Sequence, residues 1–387
     1  MFRFDPYAPE TDADPYPAYR VLRDEHPCFW SEEAGMWVLT RYDDILAALS
    51  NWRLYSSAQG NLIDELPGRA GATLGTTDPP RHDRLRGLIQ KAVTRSALDH
   101  IVEPTRERCR GYLDALRGRD RFDLVADYTS RVTVDLLFHL FAMPDDMRDM
   151  VRDRALLMVQ TDPVTRQKGP EHLAAYHWMA DFAARLVAER KAAPGDDLLS
   201  NFITSEIDGE KLLDREVQLT VTTLIMAGIE SLSGFMAMFG LNLADHPDAR
   251  RALVADPALI PDAIEESLRF NTSAQRFKRC ITSDTELHGQ AVSAGDFVML
   301  CYGSANRDPR KFDRPDSYDI TRRPKGHLGF GGGVHACLGA MIARLATRIA
   351  FEELLSAVPD FHRVDETLDW VPSSNFRSPV RLRIGIG

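Results

Sequence analysis

From Arg81 to Phe270 apolar residues recur three and four positions apart, the spacing of amphipathic helices. Breaks near Met143-Pro144, Asp162-Pro163 and Ala193–Asp197 divide that stretch into several predicted helices. The longest is Asp214–Asp245, and its part Leu219–Ala244 is apolar nearly all round, as in a helix at the centre of a large protein. The same stretch is long enough to cross a bilayer, but Glu230 sits near its middle. An acid at that depth costs roughly 2.5–3.5 kcal/mol, so the pattern predicts a core helix rather than a span. Ahead of Arg81 the chain predicts a helix over Pro15–His26, a strand over Met36–Thr40 and a short helix over Asp43–Leu49. Ser56–Pro79, rich in Gly, Ala, Asn and Pro, predicts a long loop, and loops of that length are usually functional. After Phe270 come predicted strands Cys280–Leu287, Phe297–Leu300, Asp369–Trp370 and Val380–Ile384. Helices over Pro261–Phe270 and Cys337–Leu355 flank them. The expected class is mainly α with a small β component. It is one domain over 1–387, with a helical core at 80–270 and 337–355 and β-richer N-terminal and C-terminal parts.

Composition narrows the function. A 44% hydrophobic share rules out a disordered or fibrous chain. Lys plus Arg number 47 against 57 Asp plus Glu, and a net charge of −10 argues against nucleic acid as a partner. Five cysteines (Cys28, Cys109, Cys280, Cys301, Cys337) have no CxxC spacing and read as reduced thiols of a cytoplasmic protein. The acidic, proline-bearing N-terminus has no apolar h-region, so neither a signal peptide nor a membrane anchor is expected.

The sharpest chemical signal is Phe330-Gly331-Gly332-Gly333-Val334-His335-Ala336-Cys337-Leu338-Gly339. A glycine-rich turn leads into a predicted helix that begins with a cysteine. At a helix N-terminus the dipole and the unpaired N–H groups favour a thiolate. Glycines let a flat ligand approach the backbone, and one thiolate suits a soft metal. Taken alone, Cys337 reads equally as a buried apolar cysteine after a loop.

The loop resembles the haem-binding loop of the cytochrome P-450 family, F-G-x-G-x-H-x-C-x-G, at six specified positions: Phe330, Gly331, Gly333, His335, Cys337 and Gly339. The resemblance runs from Asp14-Pro15-Tyr16-Pro17 to the C-terminal strands. It implies the family fold, a triangular helical prism with haem between the long central helix and the Cys-loop helix. It also implies haem b (iron protoporphyrin IX) with the Cys337 thiolate as axial ligand, Phe330 packed beneath the haem, and His335 on a propionate. His82 and Arg86 are similar to the family's propionate-binding H-x-x-x-R, and Arg279 matches a third propionate contact. Glu266 and Arg269, three apart on a predicted helix and 71 residues before Cys337, resemble the family's E-x-x-R pair. That pair is structural, with Arg322 as a third member. Ala305-Asn306-Arg307-Asp308-Pro309 matches a further family segment with a structural role.

On the long helix Ala227-Gly228-Ile229-Glu230-Ser231 resembles A-G-x-[D/E]-T. The resemblance sets Ala227 over the distal haem face, Glu230 as a proton source and Ser231 as a hydrogen-bond partner of oxygen at the iron. Ser231 stands where threonine is usual and lacks the β-methyl that restricts the rotamer. The implied activity is a soluble bacterial haem-thiolate monooxygenase, with O₂ as co-substrate. Two electrons come singly from a ferredoxin or flavodoxin and an NAD(P)H-dependent reductase, because the chain has no GxGxxG-type domain of its own. Arg81, Arg84, Lys325 and Arg344 are expected to form the basic docking patch for that donor, and the protein to be a monomer. A peroxide-driven oxidase and a non-catalytic haem sensor are the alternatives. The substrate is expected to be a small hydrophobic organic molecule, hydroxylated or O-dealkylated. Its pocket is expected from Leu62, Ile63, Leu66 and Leu74 of the long loop, Thr223 and Met226 of the long helix, and Ala274, Gln275, Phe277, Asn375 and Phe376 near the later strands. Gln275 or Asn375 is expected to orient one polar group.

Overall fold

In a computed structural model, which describes every residue except 1, 94–97 and 163, the apolar run becomes a 32-residue helix, Asp214–Asp245, with the predicted bounds. It packs against helices Ser130–Leu140, Arg148–Val159 and Pro170–Ala192. Along its C-terminal half Phe235, Met236, Met238 and Phe239 are buried, and Phe239 meets Phe351 of helix Ala340–Ala357 at 4.4 Å between ring centroids. Gly240 makes room for Leu124 of the segment Leu124–Thr129 against the long helix: a β-carbon there would overlap the leucine side chain. Among the described residues this is the one helix long and apolar enough to cross a membrane, and most of it is buried inside the protein.

The strands form two small sheets and two hairpins. The larger sheet runs Cys28–Ser31, Met36–Leu39, Phe297–Cys301, Arg276–Ile281, Tyr55–Ser56, with only the second and third strands parallel. N-terminal and C-terminal chain segments thus share one sheet. The second joins Phe361–Arg363, Arg383–Ile386 and Arg121–Asp123. Four expectations shift. The last predicted strand, Val380–Ile384, is observed at Arg383–Ile386. The predicted strand Cys280–Leu287 is two strands, broken by the turn after Ile281. Trp370 makes only an isolated bridge to Pro379. The helix expected to begin at Cys337 begins at Ala340, so the helical core there is 340–357 rather than 337–355. Of the predicted breaks, the one at Pro163 lies outside the described residues.

The polar anchor of the core is Glu266 and Arg269, both fully buried on helix Ile260–Phe270. Arg269 Nε and Nη2 donate to the Glu266 carboxylate at 2.8 and 2.7 Å. Its remaining N–H groups reach the carbonyls of Asn306, Pro315 and Ser317. Arg322 Nε stands 3.1 Å from Glu266 Oε1, which also takes the backbone N–H of Asp319. Every charge is therefore paired inside the protein. Removing one partner of such a pair strands the other, at a cost of about 3–5 kcal/mol. Glu266→Ala should lose that much in denaturant unfolding; a loss under about 1 kcal/mol would mean that solvent reaches Arg269.

Candidate active site

The cysteine loop is folded by its own backbone. Gly331 and Gly333 have φ of +66° and +62°, and a β-carbon at Gly333 would overlap the Leu49 carbonyl. Cys337 N–H closes the turn on the Phe330 carbonyl at 2.9 Å. Asn306 Oδ1 takes the Leu328 N–H at 2.6 Å while its own carbonyl takes Arg269, so the buried ion pair fixes the start of the loop. Arg86 Nη1 donates to the carbonyls of Val334 and Ala336, at 3.1 and 2.8 Å, and fixes its end. Glu265 ties His327 (2.9 Å) to Arg344 (2.6 and 2.8 Å), and the Arg344 guanidinium lies 4.6 Å over the Phe330 ring. Burial would raise the Glu265 carboxyl, but Arg344 and His327 hold it at about 2. Glu265 was missed in the sequence, where it is one acid among many on a helix face.

The Cys337 sulfur is largely enclosed by protein, and Cys337 borders an internal cavity on one side and a surface depression on the other. Burial pushes the thiol up; the N–H groups of Gly339 and Ala340 and the charges of Arg86 and Arg344 oppose it and do not prevail. The helix dipole alone therefore does not make a thiolate here. A metal cation on the sulfur reverses that sign.

The cavity runs between the Ala227–Ser231 turn and the cysteine loop. Ala227, Gly228, Ser231, Phe330, His335, Cys337 and Gly339 line it, as do Arg86 and Arg279. His82 is off the lining, edge to face with His335 at 4.6 Å between rings. The Nε2 atoms of both imidazoles are buried without a partner, and the nearest acid to His335, Asp78, is 3.8 Å away. Burial lowers the His335 pKa, with Arg279 and His82 adding to that and Asp78 opposing it. Two orphaned imidazole nitrogens beside two arginines are the donor set for a pair of carboxylates. A soft sulfur borders the same space. Haem fits these residues: sulfur for its iron, His and Arg for its propionates, and glycine where its plane meets backbone.

Of the expected pocket residues, Leu62, Leu74, Thr223, Met226, Ala274, Phe277 and Phe376 line the cavity. Ile63, Leu66, Gln275 and Asn375 do not. Ile63 packs with Phe4 and Tyr19, and Leu66 faces the main core. Gln275 spends its amide on the Thr272 carbonyl, and Asn375 bridges the Arg276 carbonyl and the Ile63 N–H. Both amides satisfy buried backbone and have nothing left for a ligand. The sequence missed Leu136, Leu137, Leu140 and Phe141 from the next helix, whose apolar spacing reads as ordinary core, and Arg69 from the long loop.

Glu230 is buried and also off the lining. Its Oε1 accepts the Ser378 hydroxyl at 3.3 Å. Burial pushes its carboxyl up to about 7, against hydrogen bonds from Gln160 and Ser378. Ser378 and Ser273 both crowd Gly234, and Ser273, whose hydroxyl has no partner, lines the cavity. Ser231 donates to the Ala227 carbonyl at 2.5 Å. Of the expected docking cations, Lys325 and Arg344 share one surface depression beside Cys337, with Arg323. Arg81 and Arg84 do not line it, and Arg84 is held by Glu210 and Glu216. Within the depression Arg344 and Arg323 are themselves paired with Glu265 and Asp262, which leaves Lys325 without an acid among the described residues.

The family model for cytochrome P450 matches residues 19–358. A putative cytochrome P450 123 of Mycobacterium tuberculosis is 32% identical, over 99% of this chain and 96% of its own. Nocardicin C N-oxygenase of Nocardia uniformis is 34% identical, over 98% and 97%. Among solved structures, cytochrome P450 CYP109Q5 from Chondromyces apiculatus aligns with a TM-score of 0.90 at 28% identity, over 99% and 98% of the two chains.

The Glu230 shift has a consequence for stability. Its carboxyl holds a proton in the folded state up to about pH 7 but releases it near the ordinary value of 4.5 when unfolded. Raising pH through that window therefore removes stability. Glu230→Gln should gain roughly 2–3 kcal/mol on the parent between pH 5 and 8 in denaturant titrations. Parallel pH profiles for the two proteins would place the carboxyl in solvent.

Proposed function

The chain belongs to the cytochrome P450 family of haem-thiolate monooxygenases, and from that premise we propose which of its residues do the work and on what. The reaction is insertion of one atom of O₂ into a C–H bond of a small, mainly hydrophobic molecule; two electrons and two protons carry the other atom to water. The supporting observation is that Cys337 and Ser231 line one mostly apolar cavity.

Haem b, held by the Cys337 thiolate, supplies the redox chemistry that splits dioxygen. His335, His82, Arg86 and Arg279 would hold its propionates, and Phe330 would pack against it. Arg86 then serves twice, because the guanidinium that meets a propionate also holds the carbonyls of Val334 and Ala336. Apolar side chains from helix Ser130–Leu140 and the long helix exclude water from the substrate. Glu230, half-protonated near neutral pH, stores a proton at Oε1 beside the Ser378 hydroxyl. Ser273 is next to Ser378 at Gly234 and on the cavity wall, but its hydroxyl makes no hydrogen bond, so a water is needed to carry the proton across. Ser231 parks its proton on the Ala227 carbonyl. Without a β-methyl it turns easily towards the cavity to donate there. Electrons enter from a ferredoxin-type or flavodoxin-type donor with its NAD(P)H-dependent reductase, at the depression around Lys325, Arg323 and Arg344. Five free cysteines suit a reducing, cytoplasmic setting.

Two variants test these roles. Cys337→Ala should lose the long-wavelength band of the reduced carbonyl complex, and a retained band refutes the ligand. Ser231→Ala should keep haem and that band but release more hydrogen peroxide, lowering product per NADH several-fold. An unchanged yield would make the hydroxyl a bystander. Turnover with hydrogen peroxide but not with ferredoxin, reductase and NADH would favour the peroxide-driven reading.

A further inference from the structure

Three arginines line the cavity among the described residues: Arg69, Arg86 and Arg279. Arg86 holds the cysteine loop, and Arg279, which donates to the Lys278 carbonyl, is assigned to a propionate in the monooxygenase reading. Arg69 comes from the long loop, and its side chain is 4% exposed. Its Nη1 donates to Glu65 Oε1 at 2.5 Å and its Nη2 to Asn61 Oδ1 at 2.8 Å, while its buried Nε–H has no partner. Glu65 has little left to give, because it also takes the N–H groups of Asn61, Leu62 and Leu66. Two lysines brace the same loop: Lys168 Nζ on the Asp64 carbonyl at 3.0 Å and Lys278 Nζ on the Ile63 carbonyl at 3.2 Å. Three cations therefore stand against two acids, Asp64 and Glu65. The loop is held from both sides, so the guanidinium is fixed before any ligand arrives. An unpaired buried N–H beside a surplus of positive charge is a costly feature unless an acceptor fills it.

We propose that Arg69 selects the substrate: an organic acid whose carboxylate meets the free Nε–H edge of the guanidinium while its apolar body extends towards the Ala227–Ser231 turn. A carboxylate suits the site better than a neutral carbonyl, because the guanidinium still has free N–H groups in a fork and the cluster carries uncompensated charge. The proposal rests on the monooxygenase reading and gives the acceptor-binding role expected of Gln275 or Asn375 to Arg69.

The test titrates the haem-loaded protein with decanoic acid and 4-cyclohexylbenzoic acid, each beside its methyl ester, following the Soret band at pH 7.5. For at least one pair the acid should bind the parent tenfold tighter or more. Arg69→Leu should erase that preference with ester affinity and haem content unchanged, and Arg69→Lys should restore part of it. Three results overturn the proposal: no acid preference in the parent for either pair, an equal loss of acid and ester binding in Arg69→Leu, or loss of haem from that variant, which would make Arg69 a propionate partner. The first needs no variant to fold. The monooxygenase reading fails separately, if the parent's reduced carbonyl complex lacks the thiolate band.

Discussion

One tight bend, from Leu328 to Gly339, sets a single sulfur at the edge of an internal cavity, and much of the polar interior serves to hold that bend. No ordinary secondary structure stabilises it. Its two positive-φ glycines exist because β-carbons would strike the chain at Leu49 or strain the turn. Its backbone is anchored at one end through Asn306 to Arg269, and at the other through Arg86. Fully buried ions are expensive, and Glu266 with its arginines is retained where an apolar cluster of equal volume would be at least as stable. Here the ions supply direction. Arg269 offers several fixed donors to three carbonyls on two separate segments, which apolar packing cannot do.

The same enclosure explains the electrostatics. Burial lifts the Cys337 thiol and the Glu230 carboxyl alike, towards their neutral forms. The two groups resolve the penalty differently. The sulfur borders a cavity whose donor set fits a metal-bearing macrocycle, and a cation there favours the thiolate. Glu230 has only hydroxyl and amide neighbours, so it stays near the midpoint of its titration. A group poised there gives up and recovers a proton at little cost, which a buried acid paired with arginine does not.

The elements and chemistry were legible in the sequence where a pattern is local. The long helix was bounded correctly because its apolar run ends on charged residues at Asp214 and Asp245. The cysteine loop was legible because its glycines, histidine and cysteine sit within ten residues. What was not legible depends on where a side chain points. Gln275 and Asn375 look like pocket residues by position, yet each spends its amide on buried backbone. Glu230 shares a helical turn with Ser231 but faces Ser378 rather than the cavity. The start of the helix after Cys337 slipped by three residues because Leu338 and Gly339 continue the apolar spacing without helical geometry. Arg84 looked free until its partners, Glu210 and Glu216, came from more than a hundred residues away.

An apolar cavity by itself holds a hydrophobic guest in many orientations, because the hydrophobic effect has no direction. Selective oxidation needs one carbon presented to the oxidant, and that requires a directional contact at a distance from it. In this protein the amides that sequence position suggested for the task are consumed by the backbone. In the proposed reading the hydroxyls of Ser231 and Ser273 serve proton delivery. Other polar side chains on the wall, Asn61, Thr223 and Thr272 among them, are neutral, and the charged group away from the cysteine loop is the guanidinium of the long loop. Anchoring a guest there fixes how far its chain reaches towards the Ala227–Ser231 turn. The length of the apolar body, rather than its shape alone, then decides which bond meets the oxygen.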